Sequence, residues 1–419
     1  MINIYKIAYI LLLVLLVAFP IFELHLVLFF LTSLLLIFDK NPSLPKKLFN
    51  LILILSLITI IGVITSIFYQ KTFYNWLKDF MYFIKPLIAL LSGFIIAKKI
   101  NNFYYIIKGI TIVAVTISVF HLAKILWQAD FNHWTITDFR RIGGISNLIE
   151  SFALVLVLGS YKYHFLNIFK NKLLKNIILI LLSLSFVAYF SRTMIVAFFI
   201  FYLAILGYLK LSQKGLKYGF IILVSVGLFY TYLFSVKIER DKPGLESFLY
   251  KLKIAPSEIF IPSTKIDVNN HASLWDHWRA YEASMALEEM QKKPSSFFIG
   301  IGFGALVDLK FYAPLNSEKI RFIPILHNGY IYILFKTGLV GLLLYFIFLL
   351  GLYYNSFTKE NNLSKFVVSN LISGIGLYYL FSSLIITGIY NMHDIFAFIL
   401  GMLFFQQASF TNKLSPTKE

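Results

Sequence analysis

The chain has 419 residues, 59% of them hydrophobic, with a net charge of +18 and no cysteine. With a mean hydropathy of +0.77 it carries more apolar surface than a soluble domain buries, which excludes that class. The missing cysteines exclude disulfides and thiolate chemistry. The lysines suggest no nucleic-acid face, because they fall in short loops between apolar runs, where the positive-inside bias explains them.

The first apolar run, near 5–22, contains a single lysine, has no small-residue cleavage site and leads straight into another run. It reads as a membrane helix, not a signal peptide. Further spans are expected near 24–38, 49–68, 81–97, 103–126, 147–161, 177–190, 194–209, 218–236, 326–353, 366–389 and 395–411, about twelve in all. A bilayer core takes about 20 apolar residues per helix, and the uncharged stretch 51–68 approaches that length. The reading is an all-α polytopic membrane protein with one large, partly helical periplasmic loop. Residues 1–236 hold spans one to nine, 237–325 the loop, and 326–419 spans ten to twelve with a cytoplasmic tail.

Lys40, Lys46, Lys98, Lys99, Lys162, Lys170, Lys210, Lys217 and Lys365 occupy alternate loops, on the side shared by both termini. That side reads as the cytoplasm. The opposite side receives 69–80, 128–146, the short turn Ser191-Arg192-Thr193, the loop and the turn 391–394. Eleven of the twenty acidic residues lie in 237–325, and a loop of that length is expected to be functional. Within it, Leu274, Trp278, Tyr281 and Met285 recur at helical spacing up to Lys292-Lys293-Pro294. A glycine-rich turn, "GIGFG", follows.

Four features of that face could carry chemistry. In "DFRRIGGISN" (138–147), Arg140 and Arg141 beside two glycines could grip a phosphate or contact lipid headgroups, and Asn147 closes the motif at a helix start. Arg192 sits between two apolar runs, where a cation is costly in lipid, and so faces the bundle interior or the membrane edge. In the loop helix, His277 flanks the apolar stripe and Arg279 points away from it. Finally, "HNGY" places His327 and Asn328 at a helix start, whose first N–H groups attract anions. His327 is a candidate general base, and Asn328 a residue that shapes the helix start. Lys336, about 14 Å further along at 1.5 Å per residue, is expected to be buried in the bundle or to snorkel. No HExxH, P-loop or Asp-X-Asp is present, and the histidines lack metal-ligand spacing, so no metal site and no cofactor are expected.

In this order, "FRRIGGISN", "SRT" at an outer turn, "SLWDHWRAYE…KKPSSFFIGIGFG" in a long loop and "HNGY" at a helix start resemble the bacterial O-antigen ligase/polymerase superfamily, over residues 138–350. The resemblance implies a membrane glycosyltransferase whose donor is a glycan on undecaprenyl pyrophosphate at the periplasmic face of the inner membrane. A ligase passes the glycan to lipid A–core; a polymerase passes it to another lipid-linked unit. Ligase and polymerase share these motifs, so both remain open. The family's essential outer-turn arginine and closing histidine fall on Arg192 and His327. Four residues ahead of Tyr281, where the loop arginine would align, stands His277, with Arg279 two residues later. Arg192 and His327 are therefore the expected catalytic residues. Arg141, Arg140, Arg279, His277, Asn147 and Asn328 are the expected substrate-binding ones. A flippase for the same lipid-linked glycans would keep its cations in a central cavity and dispense with the large loop.

Overall fold

The computed structural model describes residues 4–37, 39, 43–69, 72–128, 142, 147–240, 245–260, 270–315, 318–357 and 362–412. Its helices are α1 (Ile4–Ala18), α2 (Phe22–Ser33), α3 (Lys46–Ser66), α4 (Phe73–Ile100), α5 (Phe103–Gln128), α6 (Asn147–Lys162), α7 (Lys172–Ala188), α8 (Arg192–Leu206) and α9 (Gln213–Ser235). Next come α10 (Leu245–Phe260), α11 (His271–Asp276), α12 (Trp278–Gln291) and α13 (Ser296–Ile299), then strands β1 (Val307–Leu315) and β2 (Glu318–Ile323). The chain ends with α14 (Gly329–Tyr353), α15 (Leu363–Ile385) and α16 (Phe396–Asn412).

A helix lies on each apolar run read from the sequence. Six of them, α3, α4, α5, α9, α14 and α15, are long and apolar enough to cross a membrane. In lipid a backbone must satisfy itself, and a helix does so within one segment, which is why these Leu- and Ile-rich runs are helical. Their ends carry explicit stops and starts. Asn171, Ser191, Ser212, Asn328 and Asn362 cap helix N-termini through their side chains. Where two helices pack closely, small residues permit it: a Cβ on Gly401 of α16 would lie 2.8 Å from the Phe94 amide of α4, and one on Gly93 3.2 Å from the Met402 amide.

The segment between α9 and α14 is partly helical, as expected, and adds a pair of strands that the sequence did not announce. It holds an antiparallel hairpin in which Val307 pairs with Ile323, Ala313 with Ile320 and Leu315 with Glu318, with a bulge between Asp308 and Ala313. The bulge carries Lys310 at φ 63°. Val307, Leu309 and Ala313 are buried while Lys310, Tyr312 and Pro314 are exposed, a period of two that the sequence reading passed over.

"GIGFG" does more than turn the chain. Gly300, Gly302 and Gly304 have φ of 82°, 84° and 82°, and their N–H groups face protein. Ile301 donates to Phe335 O (2.8 Å) and Gly302 to Lys336 O (3.1 Å), both in α14. There α14 is broken at Gly338 (φ 67°, ψ −170°), so the inserted segment satisfies carbonyls that the break sets free. A Cβ on Gly300 would come within 2.5 Å of the Lys336 carbonyl and the Thr337 amide. These amides are therefore spent on protein acceptors and not available to an anion.

Lys336 is buried, not snorkelling. Its Nζ lies 2.5 Å from Asp79 Oδ2 and 2.6 Å from Ala305 O, and Asp79 Oδ2 also accepts from Gly304 N (2.6 Å). The pair ties α4, α14 and the inserted segment together.

Candidate functional site

The turn that carries Arg192 is anchored from within the bundle. Tyr189 donates its hydroxyl to the buried Glu150 of α6 (2.8 Å), Ser118 donates to the same carboxylate (2.6 Å), and His121 stacks on the Tyr189 ring at 3.8 Å. Phe190 then takes a positive φ of 44°, and Ser191 caps α8 by accepting from Met194 N (3.4 Å). Arg192 is thus the first residue of α8, and its guanidinium leaves the helix end toward α10. There it donates to Lys251 O and lies 3.2 Å from Glu258 Oε2.

Glu258 is shared. Arg279 Nη1 lies 2.7 Å from the same Oε2, and Arg279 Nε donates to Ile385 O at the end of α15 (3.1 Å). Two guanidinium groups thus bracket one carboxylate, leaving a positive charge over. Burial pulls the Arg279 guanidinium below its usual value, and Glu258 works the other way. A guanidinium stays protonated near neutrality regardless. Arg279 does leave the apolar stripe of α12, as the sequence indicated, but α10 and the end of α15 cover most of that side and leave its side chain 30% exposed.

One turn along α12, Glu282 is only 3% exposed. Its Oε2 accepts from both His327 N (3.0 Å) and His327 Nδ1 (2.8 Å). The ring is 48% exposed, so it is clamped on one side and open on the other. A carboxylate on Nδ1–H sets the tautomer in which Nε2 keeps its lone pair, the state a general base needs. Asn328 caps α14, its side chain accepting from Tyr330 N and Ile331 N at 3.1 Å each. Gly329 N donates to Ile386 O (3.1 Å). The first amides of α14 therefore have protein partners, and the anion site expected there is closed by Asn328 itself.

Arg279, Glu282 and His327 line a cavity of about 990 Å³, walled also by the start of α4, the hairpin and the turn 391–393. A second cavity of about 210 Å³ opens beside Ser191 and Thr193 and shares Ile386, Asn391 and His393 with the first. Lys85 donates to Met392 O and lies 3.4 Å from Asp394 O, which holds that dividing turn in place. Among the described residues no three His, Asp or Glu side chains converge as metal ligands.

The structure thus gathers Arg192, Arg279 and His327, which lie far apart in the chain. His277 is exposed, gives α12 no side-chain cap and stands outside the group. Helix register explains the difference: α11 ends at Asp276, α12 starts afresh at Trp278, and the face of Glu282 also carries Arg279. Arg140 and Arg141 lie outside the described residues, as does the Asn147 side chain. Sequence reasoning missed Glu258 and gave Glu282 no role. An acidic residue three positions after an arginine in a loop helix was the available signal, since that spacing shares a helix face.

No curated protein matches the chain. Residues 177–346, from α7 through the loop and His327 into α14, match the family model described as O-antigen ligase, which supports the O-antigen ligase/polymerase superfamily for that part of the chain.

Proposed function

We propose that the protein is an O-antigen ligase-type glycosyltransferase. It takes a glycan from undecaprenyl pyrophosphate and joins it to the lipid A–core oligosaccharide. In this reading it spans the bacterial cytoplasmic membrane about twelve times, with both termini inside and the cavity facing the periplasm. The observation that carries the proposal is that Arg279 and a carboxylate-clamped His327 line one cavity, with Arg192 joined to Arg279 through Glu258.

The chemistry follows from those groups. An acceptor hydroxyl oxygen attacks the anomeric carbon and its proton passes to His327 Nε2. The bond to the pyrophosphate oxygen breaks, and that oxygen leaves with the electron pair. Pyrophosphate is a good leaving group, so stabilising its growing charge matters more than protonating it. Arg192 and Arg279 supply that charge and offer bidentate donors, without need of a metal ion. A single displacement inverts the anomeric centre. Polymerase chemistry would use the same groups with a second lipid-linked glycan as acceptor. A flippase is disfavoured because Arg192 and Arg279 meet at a carboxylate of the loop, Glu258, and not deep among the apolar helices.

Arg192→Ala and His327→Ala test the reading in cells that lack the native gene, with membrane levels checked. Lipopolysaccharide gels should show lipid A–core without polymer while lipid-linked polymer accumulates. A core capped with a single repeat unit would identify a polymerase. Normal capped polysaccharide from either variant would overturn the assignment.

A further inference from the structure

The large cavity has an asymmetric lining. Glu282 is its one lining carboxylate among the described residues, and the hydrogen bonds from His327 occupy it. Arg279 is taken by Glu258. His393 is held below its ordinary value by burial and by Lys85, so it is neutral near pH 7. Lys78 remains. It lies on α4 one turn beyond Asn75, both line the cavity, and the neighbouring Asp79 is turned inward to Lys336. Among the described residues no carboxylate pairs with Lys78. The same cavity presents Trp275 and Trp278, with ring centroids 5.5 Å apart, and the half-exposed Phe322. Flat apolar rings beside a few placed polar groups are the makings of a site for a ring-shaped polar ligand.

We propose that Asn75 and Lys78 form a subsite for the carboxylate of an acidic sugar, whose ring lies against the tryptophans. This deepens the glycan-transfer reading and rests on it. A uronic acid brings the charge that Lys78 lacks. Asn75, one turn away on the same face, adds a neutral donor to the same group. A phosphate is the other group that this lysine could bind, and the arginine pair reached from α8 and α12 is the better phosphate site because its planar forks match phosphate oxygens.

Binding is read without any transfer step, by saturation-transfer NMR on the full-length protein in phosphatidylcholine nanodiscs. The probes are a glucuronic acid-containing disaccharide, its neutral glucose counterpart and inorganic pyrophosphate. The acidic disaccharide should bind about tenfold more tightly than the neutral one, as a charge-assisted hydrogen bond allows. Lys78→Gln should abolish that preference, Lys78→Arg keep it, and His327→Ala leave it intact. The last variant separates this subsite from the transfer chemistry. An equal response to both disaccharides, or a preference that survives Lys78→Gln in a protein of unchanged melting temperature, would overturn the proposal. Pyrophosphate competing with the acidic disaccharide in wild type but not in Lys78→Gln would also overturn it, by moving the subsite to phosphate.

Discussion

Two groups of charges sit within this bundle and its loop, and they are built to opposite ends. Lys336 and Asp79 are both 0% exposed, one against one, with the lysine's remaining capacity spent on Ala305 O. Around Glu258 the count is two cations to one anion, and both arginines keep part of their surface open, 21% for Arg192 and 30% for Arg279. The first group is neutral and closed, so it can only hold structure. The second carries surplus charge beside a cavity, so it can still bind something. Burial and charge balance together, more than the presence of an ion pair, separate scaffold from site.

The sharpest way to break that comparison is to remove one member of the closed pair. Lys336→Met strands the Asp79 carboxylate in the bundle, and breaking a buried pair in this way costs about 3–5 kcal/mol. The protein should fall sharply in membrane abundance and in the melting temperature of the detergent-solubilised form. Removing both charges with Lys336→Met/Asp79→Leu should recover much of the loss, because the desolvation cost disappears with the charges. Arg192→Ala, by contrast, should leave the melting temperature nearly unchanged. Equal damage from Lys336→Met and Arg192→Ala would erase the distinction between scaffold and site.

What could be read in advance follows the same line. The long Leu- and Ile-rich runs announce helices because lipid leaves the backbone no other choice, and Lys336 inside one of them announces burial. Its partner Asp79 lies 257 positions away, and no local pattern joins the two. Nor does any pattern show that "GIGFG" would fill a break in α14, since both halves of that contact look ordinary alone. Arg192 and His327 were legible because each polar residue stands at the edge of an apolar run. Arg279 was ambiguous with His277 until the helix restarted at Trp278. Glu258 lay among eleven acidic residues of the loop with nothing to mark it.

Glu282→Gln sharpens the comparison inside the open group. The amide oxygen can still accept from His327, so the ring keeps its place, but the negative charge beside it is gone. Transfer should drop by roughly 10²-fold, the scale on which misplaced or mis-tuned catalytic groups act, with the fall in kcat and little change in KM. Kinetics on purified protein with lipid-linked glycan would read it. Wild-type kcat in Glu282→Gln would mean that His327 does not work through this carboxylate.

A third ion pair gives the low end of the scale. Arg321 meets Asp308 with two hydrogen bonds across the hairpin, Nε–Oδ1 at 2.8 Å and Nη2–Oδ2 at 2.9 Å. The guanidinium holds the Asp308 carboxyl down to about 2. A carboxyl depressed in the fold lends stability that is present above its unfolded value, about 3.9, and is lost as pH falls through the folded one. Arg321 is open to water, however, and exposed pairs contribute little. Arg321→Ala should therefore lower the melting temperature by at most about one degree at pH 7. That gap should hold down to about pH 5 and close between about pH 4 and pH 2. A gap that stayed constant through that acid range would mean that Arg321 supports the hairpin by packing and not by charge.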